Sequence, residues 1–150
     1  MSRFFEVVKD EYRKNSGDIK LPTRATEHSC GYDFYSPVNI TIQPNESVMI
    51  WTDIKANMYY DNVLMLFVRS SMGKHPVVIA NGTGLVDADY YSNEDNDGNI
   101  GFRLLNLGKT PYEIKVGDRI GQGVFIKYQI TKNDTTANKR IGGYGSTGVK

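Results

Sequence analysis

A chain of 150 residues is long enough for one domain whose single core buries about 68–70% of the unfolded surface. Its 18 Lys and Arg balance 17 Asp and Glu to a net charge of +1, so no global field draws it to nucleic acid or an anionic membrane. One cysteine, Cys30, excludes an internal disulfide, charges interrupt MSRFFEVVKDEY too early for a signal peptide, and no apolar run reaches bilayer length. The expectation is a cytoplasmic single domain with no membrane segment.

Gly, Asn, Asp and Pro punctuate the chain every few residues, and the stretches between them are short. Residues 4–15 carry Phe4, Val8 and Tyr12 at helical spacing, but FFEVV reads better as a first strand. VNITI (38–42) alternates, QPNE turns, and SVMIWTDI (47–54) follows. VLMLFV (63–68) is a continuous apolar run of strand length. PVVIA (76–80), IGFRLL (100–105), YEIKV (112–116) and GVFIKYQI (123–130) share its β-branched and aromatic character. The predicted architecture is all-β, a jelly-roll-like barrel or sandwich over residues 1–130. Residues 131–140, TKNDTTANKR, are apolar only at Ala137 and begin a flexible C-terminal arm, 131–150.

Four polar clusters interrupt the strands. HSCGYDFYS (28–36) sets Asp33 between aromatics, as a turn aspartate would stand. RSSMG (69–73) places an arginine fork and two hydroxyls at a strand exit, fit for an oxyanion or for a plain turn. NGTGLVDADYY (81–91) carries strong hairpin punctuation, and a hairpin backbone can read a base edge. If the strand continues, Asp87 and Asp89 face one way, as a catalytic pair or a solvated edge. GDRIGQG (117–123) reads as a turn into a strand, with Gln122 its polar entrant.

Two further patterns resemble known sites and fail. NEDNDGNI (93–100) imitates a calcium loop, but the twelfth position is Leu104 and strands flank it, so a solvated acidic hairpin tip is expected. RIGGYGSTGVK (140–150) has phosphate-cradle composition, yet Val149 stands where a P-loop requires lysine, and no helix follows.

Taken in order, SCGYDF, RSSMG, NGTGLVDADY, GDRIGQGVF and RIGGYGSTG resemble the five motifs of the trimeric dUTP pyrophosphatases (dUTPases), from about Leu21 to Gly148. The insertion after DYY is similar to that of some Gram-positive bacterial and phage members. The resemblance implies a homotrimer that hydrolyses dUTP to dUMP and pyrophosphate with Mg²⁺, each arm closing a neighbouring subunit's active site. It implies that Asp87 is the general base for water attacking the α-phosphorus. Tyr90 would lie under the deoxyribose and exclude a 2′-hydroxyl. Asn81 and the backbone from Gly84 to Val86 would read uracil. Arg69, Ser70, Ser71 and Gln122 would hold phosphates, and Asp33 would approach Mg²⁺ through water. Arg140, Ser146 and Thr147 would grip the distal phosphates, with Gly145 giving backbone access and Tyr144 stacking on the base. The arm is one residue shorter than the commonest motif between its Arg and Gly-Gly, which leaves Lys139 as a rival to Arg140.

Two other readings stay open from sequence. A related dCTP deaminase would share the fold but needs a catalytic glutamate, and the nearest here are Glu94 and Glu113. A phage-type regulatory protein would bind a repressor partner through loop 92–99, with Glu94, Asp95 and Asp97 as contacts. If phage-encoded, the protein would work in the host cytoplasm.

Overall fold

The computed structural model describes residues 2–144. Twelve strands run β1 (Phe4–Val7), β2 (Thr23–Arg24), β3 (Tyr32–Tyr35), β4 (Ile40–Ile42), β5 (Ser47–Trp51), β6 (Ile54–Asn57), β7 (Asn62–Phe67), β8 (Val77–Ile79), β9 (Gly84–Asp87), β10 (Gly101–Asn106), β11 (Tyr112–Ile114) and β12 (Arg119–Lys127). All pairing is antiparallel. The largest sheet has the order β2-β3-β12-β7-β9; β5-β10-β8 form a second, and β11-β4 and β1-β6 are two-stranded ribbons. The all-β expectation holds, and FFEVV is a strand followed only by a 3-10 turn at Asp10–Tyr12.

The inner faces of the sheets close on Phe34, Ile42, Ile50, Leu64, Phe102 and Leu104, each nearly or fully buried. Phe34 and Phe102 meet at 5.2 Å between centroids, tying the five-stranded sheet to the three-stranded one. Phe5 reaches in from β1 and packs on Tyr32, Phe34 and Phe125. The alternation of β7 puts Leu64 and Leu66 inside and leaves Val63, Met65 and Phe67 half-buried on the outer face.

Three expectations are corrected. SVMIWTDI is two strands: Asp53 turns left-handed (φ 57), and its buried carboxylate accepts from the Lys14 and Asn15 backbone N–H groups and the Asn99 amide. That acceptor, able to satisfy several donors at once, bends the chain where hydropathy alone runs straight on. NGTG closes no hairpin ladder, because β8 pairs with β10 while β9 pairs with β7. Its turn, closed by Gly82 N–H to the Ile79 carbonyl, passes the chain between sheets.

The third correction concerns the insertion. Instead of a solvated hairpin tip, the turns over residues 92–99 bury Asn93, Asp97 and Asn99. Asp97 accepts from Lys9 N–H and from the Lys55 ammonium, both at 2.9 Å. Asn99 exchanges two hydrogen bonds with Asp53. The polar residues that looked solvated are satisfied inside, which removes the cost of burying them.

Candidate active site

β9 ends at Asp87, and a 3-10 turn over Ala88–Tyr90 swings the chain across the open end of the sheet sandwich. The space beneath it is a cavity of about 460 Å³, within the range of small-molecule sites. Met49, Leu66, Ile79, Ile100 and Phe102 make its apolar floor. Asn81, Gly84, Val86, Asp87, Tyr90, Arg140 and Tyr144 contribute to its wall.

Tyr90 is 7% exposed, and its hydroxyl donates to the Asn99 carbonyl and accepts from the Asn96 amide, both at 2.7 Å. Burial pushes its phenol well above the ordinary value, outweighing the Asn96 hydrogen bond, so it stays protonated at any working pH. Asp87 is over half exposed at the mouth, and Asp89 stands beside it. Their side chains converge although the strand ends between them, because one guanidinium holds both. Arg140 places its terminal nitrogen on Asp87 and its Nε on Asp89 at 2.7 Å.

The arm rests on the cavity of its own chain. Gly143 lies so close to the Tyr90 ring that an added Cβ would stand 2.3 Å from Cε2, and a Cβ on Gly142 would stand 2.9 Å from that of Asp95. The Gly-Gly pair is therefore a fit between two surfaces, the tyrosine ring and the insertion. Tyr144 sets its ring edge-on to Trp51, with centroids 5.2 Å apart. Lys139 is exposed, while Arg140 lines the cavity. Gly145, Ser146 and Thr147 lie outside the described residues.

The other expected phosphate groups gather elsewhere. Asp33, 5% exposed on β3, accepts Arg69 Nε at 2.9 Å on one oxygen and Arg119 at 3.4 Å on the other. Gln122 stands opposite Asp33 in the ladder and reaches the Val68 carbonyl, while Ser70 and Ser71 open the 3-10 turn after Arg69. Asp87 pairs with Val63 across the β7–β9 ladder, and Arg69 lies six residues further on. At ~3.3 Å per residue the backbones of Asp87 and Arg69 stand about 20 Å apart along the strand direction. The candidate residues thus fall into two clusters on one chain.

The dUTPase family model matches residues 17–148. The chain belongs to the dUTPase family. It is 40% identical to a deoxyuridine 5'-triphosphate nucleotidohydrolase of Lactococcus lactis subsp. lactis over 150 residues, 98% of each chain. A vaccinia virus enzyme of the same name is 35% identical over 143 residues, 91% of each chain. The crystal structure of dUTPase from Streptococcus mutans gives a TM-score of 0.77 at 32% identity, over 86% of this chain and 98% of that one. A dUTPase from phage phi11 of S. aureus, described for its species-specific insert, shares the fold, with a TM-score of 0.71 at 19% identity over 92% and 97% of the chains.

The activity is accordingly dUTP hydrolysis, and the deaminase reading falls away. As a dUTPase the protein has site-supporting residues that motif reading passed over. Arg119 shares Asp33 with Arg69, but a register shift between Arg119 and Gly121 breaks the alternation that would have flagged it. Asn96 and Asn99 hold Tyr90 from a loop read as solvent-facing; their only signal was the density of Asn around it. Of the acidic residues in loop 92–99, Asp97 is 1% exposed and committed to Lys55 and Lys9.

Proposed function

We propose that dUTP binds with its nucleoside in the 460 Å³ cavity and its α-phosphorus before Asp87. The observation that carries this reading is the convergence of Asn81, Gly84, Val86, Asp87 and Tyr90 on that one cavity. Backbone groups of Gly84–Val86 and the Asn81 amide read the uracil edge. That backbone edge rejects a 5-methyl by sterics, and cytosine's amino group faces donors with a donor. The buried Tyr90 ring excludes a 2′-hydroxyl.

Asp87 takes a proton from water as the water oxygen bonds to the α-phosphorus. The α–β phosphoanhydride bond breaks between the α-phosphorus and the bridging oxygen, and pyrophosphate leaves with the electron pair. The Asp87 carboxylate is paired with Arg140. A triphosphate competes for the guanidinium, so the same exchange that grips the distal phosphates releases the base.

Arg69, Ser70, Ser71 and Gln122, gathered at the far end of β7 from Asp87, serve the cavity of another subunit in a homotrimer. The outer face of the large sheet supports such an assembly. Val63, Met65 and Phe67 lie beside Val124, Ile126 and Leu85, an apolar surface on the side away from the core. The arm's seat consists of Tyr90, Asp87, Asp89 and Trp51, which a neighbour offers equally, so the arm can close either cavity in the manner of a swapped element.

No group of three or more His, Cys, Asp or Glu among the described residues could hold a metal. Asp33 is buried with one guanidinium nitrogen on each oxygen, which leaves lone pairs for a coordinated water but no open ligand face. These residues fit Mg²⁺ carried by the triphosphate and its waters, with Asp33 in outer contact. Bound so, the ion would neutralise charge on the phosphoryl oxygens. We place the protein in the cytoplasm, where dUTP hydrolysis limits uracil in DNA and supplies dUMP.

The test is pyrophosphate release from dUTP, dTTP, dCTP and UTP in Mg²⁺, by the wild type and Asp87→Asn. Release from dUTP alone, abolished in the variant, is expected. An Asp87→Asn enzyme within tenfold of wild type would remove Asp87 from the role of base.

A further inference from the structure

We infer that Asn96, in the loop between Tyr90 and β10, is a positioning residue for sugar discrimination: its amide fixes the Tyr90 hydroxyl and thereby the ring that faces the nucleotide. The inference rests on the reading of Tyr90 as the surface beneath the deoxyribose.

The donor and acceptor pattern leaves a single consistent arrangement. The Asn99 carbonyl can only accept, so the one hydrogen of the Tyr90 hydroxyl goes to it, at 2.7 Å. The hydroxyl must then accept from its other neighbour, Asn96 Nδ2, also at 2.7 Å. Asn96 is held in that orientation because its Oδ1 accepts from Gly98 N–H at 3.1 Å and from Asn93 Nδ2 at 2.8 Å. Asn93 in turn donates to the Tyr90 carbonyl at 2.7 Å, so the loop grips the tyrosine at both its backbone and its tip.

The loop is itself anchored to the core. Asp97 is tied to Lys9 and Lys55, and Asn99 to the fully buried Asp53. A tyrosine with a free hydroxyl can swing about its two side-chain torsions. Here both hydrogen-bonding positions of the oxygen are filled by a braced loop, and Gly143 lies against the ring. A ring that cannot yield is what steric rejection of one extra hydroxyl requires; a ring that swings would admit UTP.

Asn96→Asp separates this role from the loop's own architecture. The aspartate keeps the acceptor for Gly98 N–H and Asn93, but turns an acceptor toward the tyrosine oxygen, whose only hydrogen is already given away. We expect the ratio of kcat/KM for dUTP to that for UTP to fall about threefold to tenfold, the worth of one neutral hydrogen bond. The change should lie in the KM values, with the far-UV spectrum preserved. Tyr90→Phe should lower the ratio comparably, and the double variant no further, because Asn96 acts only through the hydroxyl. A ratio within twofold of wild type in Asn96→Asp, or effects that multiply in the double variant, would overturn the inference. Tyr90→Leu tests the underlying reading: an unchanged ratio there removes Tyr90 from sugar selection altogether. A collapsed ratio there, with Asn96→Asp and Tyr90→Phe unaltered, removes Asn96 alone.

Discussion

Replacing Asp97 by alanine tests whether the insertion is part of the fold. The carboxylate is 1% exposed, and one of its oxygens accepts from both Lys9 N–H and the Lys55 ammonium at 2.9 Å. Removing one member of a buried ion pair costs about 3–5 kcal/mol. Lys55 keeps Glu6 at 3.3 Å and Ser92 at 3.2 Å, so the lower end, about 3 kcal/mol, applies. With an unfolding entropy of ~2.1 cal/mol/K per residue, that loss lowers the Tm by about 10 °C.

The assay is thermal unfolding followed by circular dichroism at pH 7 and fixed protein concentration. Glu94→Ala, at an exposed position, is the control expected to leave the Tm unchanged. The pH dependence has a defined sign. Burial alone would raise the Asp97 carboxyl, but the Lys9 N–H and the Lys55 ammonium outweigh it and hold it below 3.8. Its contribution is therefore complete above about pH 4 and disappears as the pH falls through the folded value. Lys55, which burial alone would lower, is held above 10.5 chiefly by Asp97, so its contribution is complete below 10.5 and lost as the pH rises through the folded value. The alanine variant should lack the acid component. A Tm within 2 °C of wild type would refute the claim that the insertion braces the fold.

Other outcomes follow from the site. Asp87→Asn should lower kcat for dUTP by about 10²–10⁴, the usual worth of a general base, with the protein still folded in a thermal scan. Gly143→Val places side-chain atoms where a Cβ already meets the Tyr90 ring at 2.3 Å, so the arm cannot seat and the dUTP KM rises about tenfold or more in steady-state kinetics. Chelation with EDTA should abolish pyrophosphate release, and excess Mg²⁺ should restore it.

The strands were legible because β-branched runs and turn residues carry them locally: β7, β8, β10 and β11 fall within a residue or two of the apolar runs. The partners of those strands were not legible. NGTG has hairpin chemistry, yet β8 and β9 enter different sheets, since pairing is decided by which faces the core needs rather than by the turn. Burial of the insertion was invisible for a related reason. Asp97 and Asn99 have the composition of a solvated loop, and only partners distant in sequence, Lys9, Asp53 and Lys55, make them internal. The motifs brought the candidate residues into view, whereas their division into two groups needed the β7–β9 register.

Trp51 is the chain's one tryptophan, and the Tyr144 ring stands against it. The indole therefore lies at the seat of the arm, and its emission reads whether a tyrosine occupies that seat. Any change in that contact on mixing with nucleotide can be followed by stopped-flow fluorescence on the unlabelled protein, and Tyr144→Leu supplies the blank. The fold has placed its one tryptophan against the tyrosine that the arm brings to the cavity.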